Sequence, residues 1–441
     1  MLLLLLLVSC GGLYALCSYS PKPIRDDCGN ILDPVGGSVL KNGIGMLMAV
    51  IAKYRERSSS REHTDEAIER FHATEDHKFF NESYYFNGSD LKTKDRIISR
   101  ISHRGRGGAK SYVFLLLDLE RYGQLSLEQD HVDADVDQYG NPRALGLVYE
   151  CLEPMKRWRI KYTGKMKRGC VHPQESNTCK QDLVDVKVDM LYSRETPVFW
   201  YMRDDTPECL GKNLSQEPWG LQFLQVCLKR SKNHGHYEDY GRLCGTIRVN
   251  NDTPIEYDMG TFRDHSWDIR SWKCMESLLI VLVTLEQPLI LFGHEYWYLD
   301  LTLVSMPGNS SGVARYSTGY VLPKDGTGAP TLALTTATSV NDIPWKTRED
   351  GVHEPMPKTQ VVMNVRPNDN ANAKPASIRI NMNGPIRRLM YWPDDGGFVV
   401  YEDSMDITVT EVTTGKSLNA YGTRQSGHRV GTYDPTVDGG C

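Results

Sequence analysis

From about Lys110 onward, the chain consists mainly of short stretches in which apolar and polar residues alternate. The segments "RWRIKY" (157–162) and "LVDVKVDMLY" (183–192) show this period of two most clearly. Turn sequences such as "DQYGNP" and "YTGK" separate the stretches. Many short strands at regular spacing, with few helices, predict a mainly β protein, an antiparallel barrel or sandwich formed twice over.

Two segments before this β region have the pattern of helices. The first is "SVLKNGIGMLMAVIAKYRERSSS" (38–60), and the second is "TDEAIERFHATEDHKFF" (64–80), which opens on an N-cap Thr64 and acidic residues. Four apolar residues of the first segment fall on one helical face: Leu40, Ile44, Met48 and Ile51. We expect both helices to pack on a sheet, and contact of the first with a membrane surface is the alternative.

These patterns predict the domain organisation. Residues 206–240 are helix-like and then polar, so we assign them to a linker or inter-domain helix. The predicted parts are a signal peptide (1–17), a partly helical N-terminal extension (18–105), a first β-domain (106–205), the linker (206–240) and a second β-domain (241–441).

The N-terminus indicates secretion. "MLLLLLLVSC" is too short to span a bilayer but fits the apolar core of a signal peptide. No later segment offers the run of about 20 apolar residues that a membrane helix needs. The nearest, Leu278–Phe292, is interrupted by Glu286 and Gln287 and is predicted to form two buried strands around a turn. We therefore expect a secreted, extracellular protein without a stable membrane span.

Sequons and cysteines agree with that compartment. Asn-x-Ser/Thr sequons, which predict N-glycosylation, occur at Asn81, Asn87, Asn213, Asn251 and Asn309. Of the 11 cysteines, nine follow the signal peptide, and most of these are expected to form disulfides. Nine is an odd number, so one thiol stays free or pairs between chains, and the terminal Cys441 is the candidate.

Net charge and short motifs exclude other function classes. A formal charge of −5 argues against a nucleic-acid partner, because such a protein needs a basic surface. "SHRGRGGAKSY" (102–112) fits neither a phosphate loop nor a dinucleotide-binding loop, so no cofactor is expected. His234 and His236 lie beside Glu238 and Asp239, but in a polar linker solvated side chains are expected there, and no metal site is predicted.

The densest chemistry lies in "GTFRDHSWDIRSW" (260–272). On an extended strand, Arg263, His265 and Trp267 point to one side, and Asp264 and Ser266 point to the other. A barrel lumen reached by His265 and Trp267 would place a proton donor beside an aromatic wall. The alternative is a structural network in which Arg263 pairs with Asp264 and the tryptophans lie in the core.

A second segment, "GHEYWYLD" (293–300), alternates in the same way, so that four residues are predicted to share a face: His294, Tyr296, Tyr298 and Asp300. Neighbouring strands of a small barrel bring such faces together. We therefore predict a lumen that carries four catalytic candidates: His265, Trp267, Tyr298 and Asp300. Three further residues are predicted to contact a ligand: Arg263, Asp264 and Tyr296.

The first motif also carries a family resemblance. It resembles the signature G-x-R-D-H-S-W-G-x-R-D-W of a widespread family that includes an N-terminal module of animal phosphotransferase-like proteins of the pyruvate-phosphate-dikinase type. "YECLEPMKRWRIKYTGKM" and "STGYVLPKDG" resemble further segments of that group, so the match covers about 110–326. Asp268 and Ser271 depart from the signature. No ATP-binding or phosphohistidine domain follows, so the phosphotransferase activity does not carry over.

That family is distantly similar to tandem-lipocalin proteins, among them carotenoid hydratases and Diels-Alderases. The resemblance implies two lipocalin-like barrels and implicates His265, Trp267, Tyr298 and Asp300 in chemistry on an isoprenoid. We expect a secreted glycoprotein that binds a small apolar or amphipathic ligand: an isoprenoid, a lipid or a pigment. One alternative is a hydratase, isomerase or cyclase with Asp300 as the acid. The other is a structural component of an extracellular or mineralised matrix.

Overall fold

The computed structural model describes most of the chain between Ile24 and Val430. The described residues are 24–25, 31–33, 39–59, 64–72, 80–104, 110–133, 135–169, 182–216, 234–269, 275–307, 313–339, 345–347, 353–355, 358–391 and 398–430. The predicted signal peptide (1–17), Asn309 and Cys441 lie outside these residues.

Among the described residues, three helices accompany the strands: α1 (Val39–Ser59), α2 (Asp65–Glu69) and α3 (Pro207–Gln216). Helices are thus confirmed in both predicted segments, and Thr64 caps α2 by accepting a hydrogen bond from the Ala67 backbone amide. The second is shorter than expected, since α2 ends at Glu69. Within the described residues, no helix has the length and apolar character needed to cross a membrane.

The first half of the chain forms a closed barrel. The strands of this part of the chain are β1 (Ile24–Arg25), β2 (Ile31–Asp33), β3 (Phe80–Ser89), β4 (Arg96–Arg104), β5 (Lys110–Leu119), β6 (Gly123–Asp133), β7 (Asp135–Val136), β8 (Pro142–Ala144), β9 (Leu147–Glu153), β10 (Arg157–Arg168), β11 (Asp182–Arg194), β12 (Phe199–Trp200), β13 (Gly235–Val249) and β14 (Ile255–Ile269). Strands β1 and β2 form a separate pair, and β7, β8, β9 and β12 lie outside the ring of eight strands. The spatial order β11-β13-β14-β3-β4-β5-β6-β10 closes on itself, because β10 also pairs with β11.

The second half forms another closed barrel. Its strands are β15 (Ser277–Leu291), β16 (His294–Pro307), β17 (Val313–Leu322), β18 (Leu332–Ser339), β19 (Trp345–Thr347), β20 (His353–Pro355), β21 (Thr359–Pro367), β22 (Ala376–Tyr391), β23 (Phe398–Glu411) and β24 (Ser417–Arg429). Eight of them pair in chain order from β15 to β24, with β19 and β20 as a separate hairpin. The prediction of two strands within 278–292 is wrong: β15 is one strand whose register shifts between Thr284 and Leu289.

In both barrels, each of the eight ring strands pairs with the ring strands before and after it in the chain, and the first pairs with the last, which is the up-and-down arrangement of lipocalins. The predicted fold class is therefore confirmed. The predicted boundaries differ, because β3 and β4 come from the predicted extension, and β13 and β14 from the predicted linker and second domain. Those strands carry many polar residues, such as "FNESYYFNGS" in β3, and their buried polar side chains conceal the strand pattern.

The interiors of the barrels are apolar cores. Each core draws side chains from all eight strands, for example Val113 and Trp158 in the first barrel and Val281 and Ile380 in the second. No member of either core is more than 7% exposed. Apolar side chains therefore occupy the space in which a lumen was predicted. Such packing stabilises a protein by about 25 cal/mol per Å² of buried apolar surface.

The two barrels pack wall to wall, and we call this contact the seam. Aromatic rings from both barrels form part of it, including Phe262 of β14 and Tyr320 of β17. A buried ion pair also crosses it, since Arg96 of β4 donates to Glu402 of β23 at 3.0 Å. The Tyr85 hydroxyl donates to the same carboxylate at 3.0 Å. Glu402 therefore ties the barrels together.

We predict that Glu402→Ala destabilises the chain by about 3–5 kcal/mol, because it leaves the Arg96 guanidinium buried without its partner charge. Urea unfolding measures the change. Replacing both residues, as Arg96→Met with Glu402→Met, should recover most of the loss, since no buried charge then remains. The exposed pair of Arg121 and Asp252 is the control, and Arg121→Ala should have little effect. A Glu402→Ala variant as stable as this control would contradict the assignment.

Candidate functional site

Strand β14, which carries the Arg-Asp-His-Ser-Trp motif, presents different residues on its two faces. Arg263 and His265 point into the first barrel, where the Arg263 guanidinium lies 5.2 Å from the Trp158 ring. Asp264 points outward and contacts His236 of β13. The predicted alternation is therefore confirmed, and it creates two polar clusters. We call Glu69, Glu82, Arg263 and His265 with their partners the inner cluster, and His236, Glu238, Asp264 and Asp300 the seam cluster.

Arg263 organises the inner cluster. Its guanidinium donates to Glu69 at 2.5 Å, to Asp239 at 3.1 Å and to the Tyr237 hydroxyl at 3.0 Å. Glu69 is the last residue of α2, so this contact holds the short helix against the barrel. Burial opposes the charged form of Arg263, but Glu69, Tyr237 and Asp239 outweigh it and raise the pKa of the guanidinium.

His265 lies between two partners in the same cluster. Its Nε2 is 3.0 Å from Glu82 Oε1, and its Nδ1 is 2.9 Å from the Tyr237 hydroxyl. The Nδ1 of His72 reaches the same Glu82 oxygen at 2.9 Å. Burial lowers the pKa of His265 even though Glu82 opposes the shift. Burial would raise the pKa of Glu82, but hydrogen bonds from His265 and His72 outweigh it and lower this pKa.

Aromatic stacking fixes these imidazoles. The His265 ring stacks on Tyr84 with centroids 4.0 Å apart, and the His72 ring stacks on Trp267 at 3.9 Å. Trp267 thus holds a histidine that the motif itself does not contain. Both contacts restrict the rotation of the rings and so favour one arrangement of their nitrogens.

His103 of β4 completes this end of the barrel. It is directly opposite Glu82 in the β3–β4 register and is 1% exposed. Neither ring nitrogen has a hydrogen-bond partner among the described residues. Burial lowers its pKa to about 4, although Glu82 opposes the shift. A buried imidazole without a partner is costly, so it needs an explanation beyond packing.

The seam cluster has a different composition, with one imidazole among three carboxylates. His236 Nε2 contacts Asp264 and lies 3.2 Å from Glu238. Glu238 accepts hydrogen bonds from Tyr201 at 2.8 Å and from Tyr320, in the second barrel, at 2.7 Å. The cluster therefore draws on both barrels.

Asp300 of β16 is the second barrel's carboxylate in this cluster. It is fully buried, and its Oδ1 accepts a hydrogen bond from Thr302 at 3.4 Å. Its Oδ2 has no hydrogen-bond partner among the described residues. Burial, followed by the nearby charges of Glu238 and Asp264, raises the pKa of Asp300 well above its usual range. Burial and these neighbouring charges therefore favour the protonated form of the Asp300 carboxyl.

The four predicted catalytic residues do not share a lumen. His265 lies inside the first barrel, Trp267 stacks on His72 beside it, and Tyr298 and Asp300 lie on the outer wall of the second barrel. The Tyr298 hydroxyl donates to Glu195 at 3.2 Å. Because the barrels pack wall to wall, an inward residue of one cannot meet an outward residue of the other. The inward residues of β14 therefore lie apart from Asp300, whereas its outward residue Asp264 lies in the seam cluster with Asp300.

Two further predicted ligand contacts have structural partners. Arg263 is held by Glu69 and Asp239, as described above, which agrees with the alternative of a structural network, although its partners are not Asp264. Tyr296 belongs to the core of the second barrel and donates a hydrogen bond to the Pro330 carbonyl at 3.0 Å. Tyr296 therefore lies inside the second barrel and Tyr298 lies in the seam, so these two side chains do not share the predicted face.

Sequence reasoning missed Glu69, Glu82, His72 and His103. These residues precede the predicted first β-domain, in the region assigned to a helical extension. The sequence signal that could have located them is "NESYYF" (81–86), where Glu82, Tyr84 and Phe86 alternate with Ser83 and Tyr85 as in a strand with one inward face. His236 and Glu238 were noticed, but as solvated linker residues, whereas they lie on β13.

The predicted sequons differ in their surroundings. Asn81, Asn87 and Asn213 are buried, and the Asn87 amide donates to the Tyr85 hydroxyl at 2.9 Å. A glycan on these side chains is incompatible with this packing. Asn251, in the turn between β13 and β14, is exposed. The cysteines within the described residues, at positions 151, 209 and 244, are free thiols.

Both clusters offer metal-binding atom types, since the donor atoms of His72, Glu82 and His265, and those of His236, Glu238 and Asp264, lie within 4.8 Å of one another. The described surface also has a cleft of about 280 Å³ between α1, α3 and the turn after β21. Its lining includes Val50, Tyr54 and Arg366 but no residue of either cluster.

We predict that stability depends on pH through His236. Burial would lower its pKa, but Asp264 and Glu238 outweigh burial and raise it from 6.5 to about 9. Because the folded pKa is the higher one, the stabilisation is complete below about pH 6.5 and is lost as the pH rises through about 9. Urea unfolding of the wild type between pH 6 and 9 should show this loss, and His236→Gln should lack that part of it. Parallel pH profiles of the two proteins would contradict the prediction.

Comparison with known proteins gives a family but no activity. No curated protein matches the sequence. Among solved structures, the chain is similar to an AttH candidate from Nitrosomonas europaea, with 9% identity over 80% of this chain and 93% of that chain, at a TM-score of 0.47. It is also similar to CghA, solved with Sch210972, with 9% identity over 80% of this chain and 89% of that chain, at a TM-score of 0.45.

The family match covers the part of the chain that contains both clusters. It begins at α2, which supplies Glu69, and ends within β22. Residues 65–377, more than half of the chain, match the family described as Domain of unknown function (DUF7064), and the chain belongs to that family.

Proposed function

We propose that the protein binds a small apolar or amphipathic molecule, of the isoprenoid, lipid or pigment class, in the seam between its two barrels. Apolar packing of both barrel interiors argues against a ligand inside either one. Ligand sites commonly lie between domains and combine apolar walls with a few convergent polar groups. The seam has both kinds of group.

Aromatic side chains supply the apolar walls. The rings of Phe199 and Tyr320 lie 4.4 Å apart, and those of Tyr240 and Tyr298 lie 4.8 Å apart, so each pair joins the two barrels. Flat aromatic faces suit a planar, unsaturated molecule, because they offer large contact areas with little loss of side-chain entropy.

Asp300 is the observation that carries the proposal. Its buried Oδ2 lacks a partner among the described residues, and a hydroxyl or carbonyl of a bound molecule would supply one. Solvent reaches this cluster at His236 and Asp264, whose side chains are 29% and 14% exposed. A ligand that enters there would place its polar end at the carboxylates and its apolar body against the aromatic rings, which are in contact in this structure and must separate to admit it.

We test the binding site with Asp300→Leu, which keeps the side chain's size but removes its hydrogen-bonding oxygens. All-trans-retinol, an isoprenoid with one hydroxyl, is the probe, and quenching of tryptophan fluorescence measures its binding. We expect the variant to bind about 3–10-fold more weakly, the effect of losing one hydrogen bond. Asp406→Asn, at a carboxylate that is 65% exposed, is the control. Equal affinity of wild type, Asp300→Leu and the control would refute the site.

Acid chemistry on the bound molecule is the second candidate function, and the raised pKa of Asp300 favours it. A protonated carboxyl can donate its proton to a carbon–carbon double bond, which leaves a carbocation on the ligand. Addition of water and loss of its proton gives an alcohol, as in a hydratase. Loss of a neighbouring proton to the Asp300 carboxylate gives an isomer. Attack by a second double bond closes a ring and leaves a new carbocation, which loses a proton to the same carboxylate. The resemblance to carotenoid hydratases agrees with this chemistry.

Deuterium incorporation tests this second function. Incubation of the protein with geranylgeraniol in D₂O should place deuterium on carbon in any hydrated, isomerised or cyclised product, which mass spectrometry detects. Asp300→Asn cannot donate the same proton and should reduce incorporation by at least 10²-fold. Retinol binding by Asp300→Asn is the check on folding. Incorporation at the wild-type rate would exclude Asp300 as the acid.

Secretion completes the proposal. The N-terminal apolar run supports it, and Asn251 is the exposed sequon at which a glycan would fit. A disulfide between chains through Cys441 and the kinship with the phosphotransferase-like module are further parts of the proposal. Intact-mass spectra of protein from a secretory host report cleavage, any glycan and any co-purified ligand together. Recovery only in an insoluble extracellular fraction, without ligand, would favour the structural matrix role.

A further inference from the structure

We propose that the inner cluster is a metal site, in which His72, Glu82, His103 and His265 bind one divalent first-row transition metal, with Zn²⁺ as the best fit. The site lies at the α2 end of the first barrel, on the opposite face of β14 from the seam. It is independent of the ligand site proposed above.

Three of these residues already converge on one point. The Nδ1 of His72 and the Nε2 of His265 lie 2.9 Å and 3.0 Å from the same oxygen of Glu82. All three donor atoms lie within 4.8 Å of one another. Donor atoms in one coordination shell of zinc have comparable spacings, since Zn–N and Zn–O bonds are about 2.0–2.2 Å long.

His103 is the independent second observation. Its position opposite Glu82 in the antiparallel register puts both side chains on the same face of the sheet, with Cβ atoms about 4.5–5.5 Å apart. It is 1% exposed, and both of its nitrogens lack hydrogen-bond partners among the described residues. His103 lies outside the set of donor atoms that meet within 4.8 Å, so a rotation of its side chain would bring it to a metal ion held by the other three residues. That ion would give this imidazole the partner that it otherwise lacks.

The donor set indicates the class of metal. Three imidazole nitrogens and one carboxylate oxygen suit zinc and related first-row ions, whereas calcium and magnesium prefer oxygen donors. The seam cluster fits such a metal less well, because it has one imidazole and its His236 is paired with Asp264 and Glu238. It therefore serves as an internal control.

The motif on β14 supplies the groups that orient these ligands. With Nε2 of His265 on the metal, its Nδ1–H donates to the Tyr237 hydroxyl, which donates to Glu69 at 2.8 Å. Arg263 holds Glu69 in turn. Such chains of partners are typical of metal-binding histidines. Trp267 orients His72 by stacking, so all three inward residues of the motif act on one centre.

The site is also accessible from one side. The His72 side chain is 26% exposed, while Glu82 and His265 are fully buried. A metal ion can therefore enter past His72, which follows α2, and reach the buried ligands. Binding would tie this segment to the barrel wall.

His103→Phe is the decisive variant, because it keeps the ring contact with Phe71 and removes no hydrogen bond of the described residues. The experiment uses the full chain, stripped with a chelator and then titrated with Co²⁺ followed by visible absorption, and with Zn²⁺ followed by the melting temperature. We expect one ion per chain in the wild type and a rise in melting temperature with Zn²⁺. His103→Phe should bind at least tenfold more weakly.

Two further variants separate a metal site from a structural network. Trp267→Leu, which touches no metal, should weaken Co²⁺ binding by about 10–100-fold, as for other groups that orient metal ligands. His236→Gln, in the seam cluster, should leave it unchanged. Metal content by mass spectrometry confirms the stoichiometry. The proposal is overturned if the wild type takes up no stoichiometric metal, if His103→Phe keeps wild-type affinity, or if His236→Gln alone abolishes binding.

Discussion

The buried guanidinium of Arg263 is the interaction on which this end of the first barrel depends. A charge removed from water costs several kcal/mol unless carboxylates and hydrogen bonds surround it. Two elements provide these partners: α2 contributes Glu69, and β13 contributes Tyr237 and Asp239. The contacts that satisfy this one charge also hold α2 against the barrel, keep β13 and β14 in register and orient His265.

A strand with two buried faces also explains why the motif is so polar. Both faces of β14 meet protein, one the barrel interior and the other the seam, so neither can leave its charged groups to water. The hairpin partner β13 alternates in the same way, with Tyr237 and Asp239 inward and His236 and Glu238 outward. A register shift of one residue would exchange the inward and outward side chains of the strand. The pairing of β13 with β14 is therefore strongly specified.

The strands with a clean period of two, such as β10 and β11, could be predicted from the sequence, and so could both helical segments and the alternation of β14. Strands with buried polar residues could not, and the boundary between the barrels was therefore misplaced. The candidate sites were harder to predict. Glu82 and His265 are 183 positions apart in the chain, and only the closure of β14 against β3 makes them neighbours. The alternation of apolar and polar residues predicts on which face of a strand a side chain lies. It does not predict which strand lies beside that one in the barrel.

Apolar packing inside both barrels moves the chemistry to the ends and outer walls. A lipocalin-like barrel with a hollow interior can bind a ligand there, but these interiors are filled with apolar side chains, and the polar groups lie at the α2 end of the first barrel and along the seam. Asp300 illustrates the consequence. It lies on the outer wall of the second barrel, where the first barrel buries it beside Glu238 and Asp264, and this burial raises its pKa. The tandem arrangement therefore favours the protonated form of Asp300, because the burial and the neighbouring carboxylates that raise its pKa come from the packing of the two barrels.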